Sequence, residues 1–490
     1  MKNWIFKWVG LAIVGLLLVS GFAAATAATP EPPDGAAPLA EADLVSAASQ
    51  VYLPLLQKSY PFRTIFGVEI TNLSNTGGLP EMQAAGAYWV RHNGLFWGEV
   101  EPTRTAPAAY QWGNVAALEQ GLKNARAAGM EVILVVRDTP EWAQAQPGLP
   151  CGPIAAEDLA AFGEFMHAAV KRYSSPEYSV EYYEIWNEPD VDGNLPGFDP
   201  NNPYGCWGDE SDPYYGGQRF GQMLQVIDDY IRSANPQAKI LVGGLLLDCN
   251  HELAGSCTRS ELPSHFLEGI LLSGAAPAFD GVAFHAYDYY YAGTSPAGSI
   301  GEFGNPNWQT TNLTGPVVAA KTKFITDLLQ RYNVSGKFLM NTESAMLHNV
   351  GDCETNCQTT KAIYATQAYV TAKTLDLKAN VWYAALSAWN NSNLLAADRT
   401  PLPAYYAFDT AQDMVGAAVF QQRFDPVANA RVHVFQRDGR TIWVVWSLDT
   451  LDHAITLPSQ PAEIYDYLGN PQPLTGTQFF AQVGPHFLIW

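Results

Sequence analysis

The sequence predicts an α/β chain, a (β/α)8 TIM barrel followed by a small C-terminal antiparallel β-sandwich, and three observations predict it. From Phe62 onward, short β-rich runs alternate with segments of helical period. The runs that read as strands number eight. Beyond about Val415 the pattern changes to short alternating strands divided by the turns Asp438-Gly439 and Gly469-Asn470.

Taken in order, the barrel does not begin at the amino terminus. Lys2 and Lys7 precede an apolar run from Trp8 to Val19, and small residues follow to Ala28, so residues 1–28 have the three-part layout of a secretory signal. The uncharged stretch Trp8–Ala28 is also long enough to span a bilayer, which makes an uncleaved anchor the rival reading. A membrane is a partner only in that case. Residues 29–58, rich in Ala, Pro and Glu, read as a linker with too little apolar surface to fold. Within it the patch Val51–Leu56 either docks on the barrel or forms part of a tether.

The barrel is assigned to residues 59–414 and the sandwich to 415–490. The candidate barrel strands are Ile65–Ile70, Tyr88–His92, Glu131–Arg137, Glu181–Trp186, Ile240–Gly243, Gly281–His285, Phe338–Asn341 and Val381–Ala385. Between them Asn114–Ala128, Ala156–Tyr173, Gly217–Asn235, Val317–Tyr332 and Thr360–Leu375 carry apolar residues at three- and four-residue spacing, as amphipathic helices do. An open doubly wound sheet would alternate similarly, but no Gly-x-Gly-x-x-Gly turn follows the first strand. In a closed barrel the strand ends share one rim, where chemistry gathers.

Composition narrows the partners. With 27 Lys and Arg against 48 Asp and Glu the formal charge is −21, and that field repels nucleic acid and anionic membranes. It suits a neutral substrate. All six cysteines follow the leader, an even number fit for an oxidising compartment. Cys249 with Cys257 and Cys353 with Cys357 are near enough in sequence to close locally, which leaves Cys151 for Cys206, although six cysteines allow fifteen connectivities. No Cys-x-x-Cys or His cluster argues for a metal, and no cofactor is expected. No oligomeric state is read from the sequence.

Two runs deliver a carboxylate where a strand stops. Glu181–Trp186 leads through Asn187 to Glu188, and Pro189 then forces the chain out of the sheet. Lys337–Asn341 leads through Thr342 to Glu343. A pair of carboxylates on one rim suits acid/base work. The quartet Trp186-Asn187-Glu188-Pro189 with Asn341-Thr342-Glu343 resembles the acid/base and nucleophile motifs of glycoside hydrolase clan A, retaining (β/α)8-barrel enzymes, most nearly families 39 and 5. The resemblance spans roughly Phe62 to Ala411. It implies that Glu188 is the acid/base, Glu343 the nucleophile and Asn187 the contact to the sugar 2-hydroxyl. It also implies that Arg91 holds the nucleophile ionised, that Tyr287 donates to it, that His285 meets the sugar or a neighbouring carboxylate, and that Trp382 or Trp389 lies beneath the sugar.

The expected function is therefore a secreted, metal-independent retaining β-glycosidase acting on a polysaccharide or oligosaccharide. Xylan, β-glucan and β-mannan stand ahead of uronate polymers because of the acidity. A transglycosylase would share every residue named, and a silent carbohydrate-binding barrel is the alternative from another class. The long loops Asp190–Tyr215 and Asp288–Thr311 depart from the family pattern.

Overall fold

The computed structural model describes residues 64–193, 204–291, 299–387, 389–473 and 476–490. The leader, the linker and the Val51–Leu56 patch lie outside the described residues. Eight strands make the barrel: β1 (Phe66–Glu69), β2 (Trp89–Phe96), β3 (Glu131–Arg137), β4 (Tyr182–Asn187), β5 (Lys239–Leu245), β6 (Gly281–Tyr290), β7 (Phe338–Leu347) and β8 (Ala379–Trp382). Each pairs in parallel with its successor, and β8 pairs with β1 to close the ring.

A helix follows each strand: α1 (Leu79–Ala84), α2 (Ala116–Ala127), α3 (Leu159–Tyr173), α4 (Gly217–Ala234), α5 (Phe266–Leu272), α6 (Val317–Arg331), α7 (Thr355–Thr374) and α8 (Pro403–Val415). In α3, Phe162, Phe165, Met166, Ala169, Val170 and Tyr173 form one buried stripe, and Lys171 and Arg172 sit in the last turn, where the helix dipole favours positive charge. Helices α1 and α5 escape a reading by sequence because one or two turns hold too few residues to show a helical period.

Several strands differ in extent from expectation, among them β2, which runs on to Phe96 rather than stopping at His92. β6 and β7 run on to Tyr290 and Leu347, because above the rim they keep pairing with each other as far as Tyr289 and Leu347. β6 also takes up the short strand Phe303–Asn305 in antiparallel fashion. β8 begins and ends earlier than Val381–Ala385, at Ala379 and Trp382.

The barrel interior follows the two-residue period of its strands. Near the amino ends Trp89, Ile133, Tyr182, Leu241, Ala283, Met340, Ala379 and Val381 form a separate apolar cluster that fills the barrel. Two residues further along β2 and β4 the same inward positions are held by Arg91 and Glu184, both completely buried. Apolar packing thus gives way to a charged layer as the rim is approached.

Beyond α8 a five-stranded antiparallel sheet is made by β9 (Val419–Val427), β10 (Ala430–Arg437), β11 (Arg440–Ser447), β13 (Glu463–Asp466) and β15 (His486–Ile489). Strands β12 (His453–Thr456) and β14 (Gln478–Ala481) pair as a second, smaller sheet over it. Asp438 and Gly439 join β10 to β11 with positive φ at both positions, 51° and 78°, the geometry of a tight hairpin turn. The other face of the large sheet, through Phe435, Ile442, Val444, Trp446, Phe487 and Ile489, belongs to the same apolar core as the barrel helices. Helix α7 is accordingly buried on most of its circumference, and Gln367 donates to the Val483 carbonyl at 3.3 Å.

Three disulfides are present, Cys151–Cys206, Cys249–Cys257 and Cys353–Cys357. Asp288 on β6 anchors α6 by accepting the Val317 backbone N–H at 2.8 Å. Burial nevertheless pushes its carboxyl from the ordinary 3.8 to about 6. A carboxyl raised in the folded state contributes stability that is complete below its unfolded pKa and is lost as pH rises through the folded value. A rise of that size is worth roughly 3 kcal/mol. Asp288→Asn is therefore expected to lose less of its unfolding midpoint than the unaltered protein between pH 4 and pH 7, as followed by thermal melts. Equal losses would contradict the assignment.

Candidate active site

At the end of β4 the backbone takes an unusual path. Trp186 and Glu188 both adopt positive φ, 70° and 45°, which for non-glycine residues is strained by roughly 1–3 kcal/mol each. Surrounding contacts hold them there. The Trp186 indole donates to the Cys151 carbonyl at 2.8 Å and its ring meets Trp207 edge-on at 5.2 Å. Gly205 donates to the Asn187 carbonyl at 2.5 Å, and Glu188 donates its N–H to the Gly244 carbonyl at 2.9 Å. The Cys151–Cys206 bridge ties this loop to the one after β3.

β7 turns its carboxylate by another device. Phe284 pairs with Asn341 but the next residue, His285, pairs with Glu343, so Thr342 is an extra residue in β7. The bulge re-aims the side chain that follows it. The result is that Glu188, His285 and Glu343, all buried, each present an atom within 4.8 Å of the others.

Arg91 sits beneath them, fully buried. Its Nη1 donates to Glu69 Oε2 at 2.6 Å and to Glu343 Oε1 at 2.5 Å. Its Nη2 donates to Glu184 Oε1 at 2.6 Å and to Asn187 Oδ1 at 2.5 Å. Burial opposes the guanidinium charge, but Glu184, Glu69 and Glu343 more than offset it and hold the group firmly cationic. The Tyr287 hydroxyl donates to Glu343 Oε2. His285 Nδ1 lies 2.8 Å from Glu188 Oε1 and 3.4 Å from Glu343 Oε2.

The two carboxyl groups are not equivalent. Burial drives Glu188 well above the ordinary carboxyl range, and the charges of Glu343 and Asp190 add to the rise. Burial raises Glu343 as well, with Arg91 as the largest opposing influence and the Tyr287 hydroxyl acting in the same sense. Of the pair, Glu188 keeps its proton and Glu343 is the better placed to carry charge. His285 is held neutral by burial, with Arg91 and Lys321 adding to the effect. Lys321 reaches from α6 to the carbonyls of Leu246 at 2.7 Å and His285 at 2.8 Å, locking the ends of β5 and β6 together.

By ligand type Glu188, His285 and Glu343 could hold a divalent cation. Their facing atoms already have protein partners at hydrogen-bond distance, an arrangement suited to moving a proton.

Six of the sequence candidates, Arg91, Asn187, Glu188, His285, Tyr287 and Glu343, thus meet in one cluster at the carboxyl end of the barrel. Trp389 borders it, 42% exposed, with its ring edge-on to Tyr287 at 5.5 Å and to Tyr383 at 5.6 Å. Trp382 does not reach it, which corrects that expectation. It is completely buried, donates its indole N–H to the Ser392 carbonyl at 2.7 Å and packs on Tyr364 of α7. Ala379 and Val381 face the barrel interior, so by strand alternation Trp382 faces outward and the inward direction returns at Tyr383.

Four participants were missed. Glu69 closes β1 much as Glu188 follows β4, a signal that was readable. Glu184 lies two residues from inward-facing Tyr182, and Tyr383 follows the strand by one. Tyr204 titrates high through burial and the nearby charges of Glu188 and Glu343, and nothing in the sequence marks it.

A closed parallel barrel with this rim defines the class, the clan A glycoside hydrolases. Within it, the chain belongs to the cellulase family, glycosyl hydrolase family 5, whose model matches residues 66–383. The fold is also that of a family 39 glycoside hydrolase from the gut symbiont Bacteroides cellulosilyticus WH2, at 18% identity and TM-score 0.62, over 87% of this chain and 81% of that one. A family 30 endoxylanase from Clostridium papyrosolvens C71 matches at 14% identity and TM-score 0.54, over 87% and 96%. A family 44 xyloglucanase from Paenibacillus polymyxa matches at 11% and 0.52, over 87% and 96%. Among curated proteins no sequence matches.

Gly244 gives a direct check on this geometry. A Cβ there would lie 2.2 Å from His285 Nε2 and 2.9 Å from Glu184 Oε1. Gly244→Ala is expected to push the imidazole off Glu188 and cut kcat on aryl glycosides by about 100-fold with little change in KM, since an ångström of misplacement carries that cost. An unchanged kcat in steady-state assays would show that His285 does not set the position of Glu188.

Proposed function

We propose that the chain is a secreted retaining β-glycosidase that cleaves polysaccharides or oligosaccharides by double displacement. The observation that carries this reading is the spacing: carboxyl oxygens of Glu188 and Glu343 approach within 4.8 Å. Retention needs carboxyl groups about 5–5.5 Å apart, whereas inversion leaves room for a water at about 6.5–9.5 Å.

In the first step Glu343 attacks the anomeric carbon while Glu188 gives its proton to the departing oxygen. Arg91 and Tyr287 keep the attacking carboxylate charged and oriented. Once the glycosyl bond to Glu343 forms, one of the charges that raised Glu188 is gone, and Glu188 then accepts a proton from the water that completes hydrolysis. Asn187 is placed by Arg91 for the sugar 2-hydroxyl. Tyr287, Tyr383 and Trp389 supply an aromatic border for the ring.

A cavity of about 370 Å³ lies at the carboxyl ends of β2 and β3, lined among others by Phe96, Asp138 and Gln144. Xylan, β-glucan and β-mannan fit the acidic surface better than uronate polymers do. Three disulfides accord with an oxidising destination. Among the described residues no helix is long and apolar enough to cross a membrane.

Glu188→Gln and Glu343→Gln should each lower turnover of aryl β-glycosides by at least about 1,000-fold. A 2-fluoro glycoside should label Glu343, as read by peptide mass mapping, and the first-formed sugar should keep the β configuration by NMR. Label on Glu188, or an α product, would overturn the assignment.

A further inference from the structure

The charged layer contains a carboxylate that neither catalytic step uses. Glu69 ends β1, and its Oε2 shares the Arg91 Nη1 with Glu343 Oε1, at 2.6 and 2.5 Å. Two acceptors on one nitrogen lie side by side, so Glu69 is the immediate neighbour of Glu343. Its exposure separates it from the purely structural member of the layer. The Glu69 and Glu343 side chains are each 8% exposed and that of Glu188 is 6%, whereas Glu184 and Arg91 are at 0%. Among the described residues Glu69 Oε1 takes part in no hydrogen bond, and it is not among the sealed atoms of the interior. The free oxygen is therefore not sealed in the interior, and it belongs to a side chain that contacts the same arginine nitrogen as Glu343.

We propose that Glu69 is a specificity-determining residue that accepts hydrogen bonds from sugar hydroxyls beyond C2, and that it restricts this position to neutral sugars with those hydroxyls unsubstituted. The proposal rests on the glycosidase reading above. Glu343 faces the anomeric carbon and Asn187 the 2-hydroxyl, so a carboxylate beside Glu343 meets the part of the ring further from the bond to be cut. Burial raises the Glu69 carboxyl, and the Arg91 guanidinium that donates to it is the largest opposing influence. Tyr383 feels both Glu69 and Glu343.

The chemistry follows from the charge. A carboxylate oxygen is an acceptor only, so a hydroxyl satisfies it and an ether, ester or sulfate does not. A uronate would set like charge against like, and the cation that bonds Glu69, Arg91, is already covered by Glu69, Glu184 and Glu343. A site built to bind a hydroxyl strongly rejects the analogue without it, because its buried acceptor is left unpaired.

The test compares the unaltered protein and Glu69→Gln on aryl β-glycosides and on their 3-deoxy and 4-deoxy analogues, with thermal melts to check folding. The unaltered protein should lose about 100-fold in kcat/KM on at least one analogue. In Glu69→Gln that gap should shrink to about tenfold or less, while the parent glycoside loses activity. If the unaltered protein turns over both analogues as well as the parent, the contact does not exist, whatever the variant does. If Glu69→Gln loses the same factor on all three substrates, Glu69 acts only through Arg91 and the proposal falls. If the unaltered protein turns over no parent glycoside at all, the glycosidase reading falls and the contact with it.

Discussion

One buried guanidinium organises the rim of this barrel. Arg91 is sealed from solvent and shared among Glu69, Glu184, Glu343 and Asn187. Such an arrangement is a poor way to gain stability, because desolvating the charges costs about as much as their attraction returns. Its value lies in geometry. Side chains from β1 and β4, and the one delivered by β7, are fixed against a single planar fork, and a fork with several donors in a fixed plane orients carboxylates better than an ammonium could.

The same logic explains the layers around it. Apolar residues fill the amino end of the barrel and exclude water from below, so the charges above act in a medium where they are strong. That medium raises the carboxyl group lacking a direct cationic partner, Glu188, and leaves Glu343 better able to stay ionised. Different surroundings thus give two identical side chains an unequal hold on a proton, as the proposed roles of acid and nucleophile require. Neutral His285, close against Gly244 and held by Lys321 through its carbonyl, braces the Glu188 carboxyl.

Much of this was legible in the sequence, for identifiable reasons. β-Rich runs that stop on Glu188-Pro189 and Thr342-Glu343 are local patterns, and closure of a ring follows from counting eight of them. What depends on a one-residue offset was not legible. The extra residue Thr342 in β7 leaves no mark on composition, and the alternation that puts Val381 inside the barrel and so turns Trp382 toward α7 is a one-residue matter. Glu69 and Glu184 were passed over because a carboxylate in a strand is usually a solvated one. Only the ring shows that four strand positions converge on one arginine.

The burial of α7 on nearly all sides bears on how the molecule can be taken apart. Gln367 of α7 donates to the Val483 carbonyl between β14 and β15, and Phe435, Trp446 and Phe487 of the terminal sheet join the same apolar core as the barrel helices. A chain cut after the last barrel helix would turn that seam out to solvent, as a sticky apolar wall of the kind that drives aggregation. The terminal sheet is therefore no detachable accessory. Shortening the gene to a minimal barrel, or exchanging the sheet for one from a distant relative, would first require repainting the helix faces it covers.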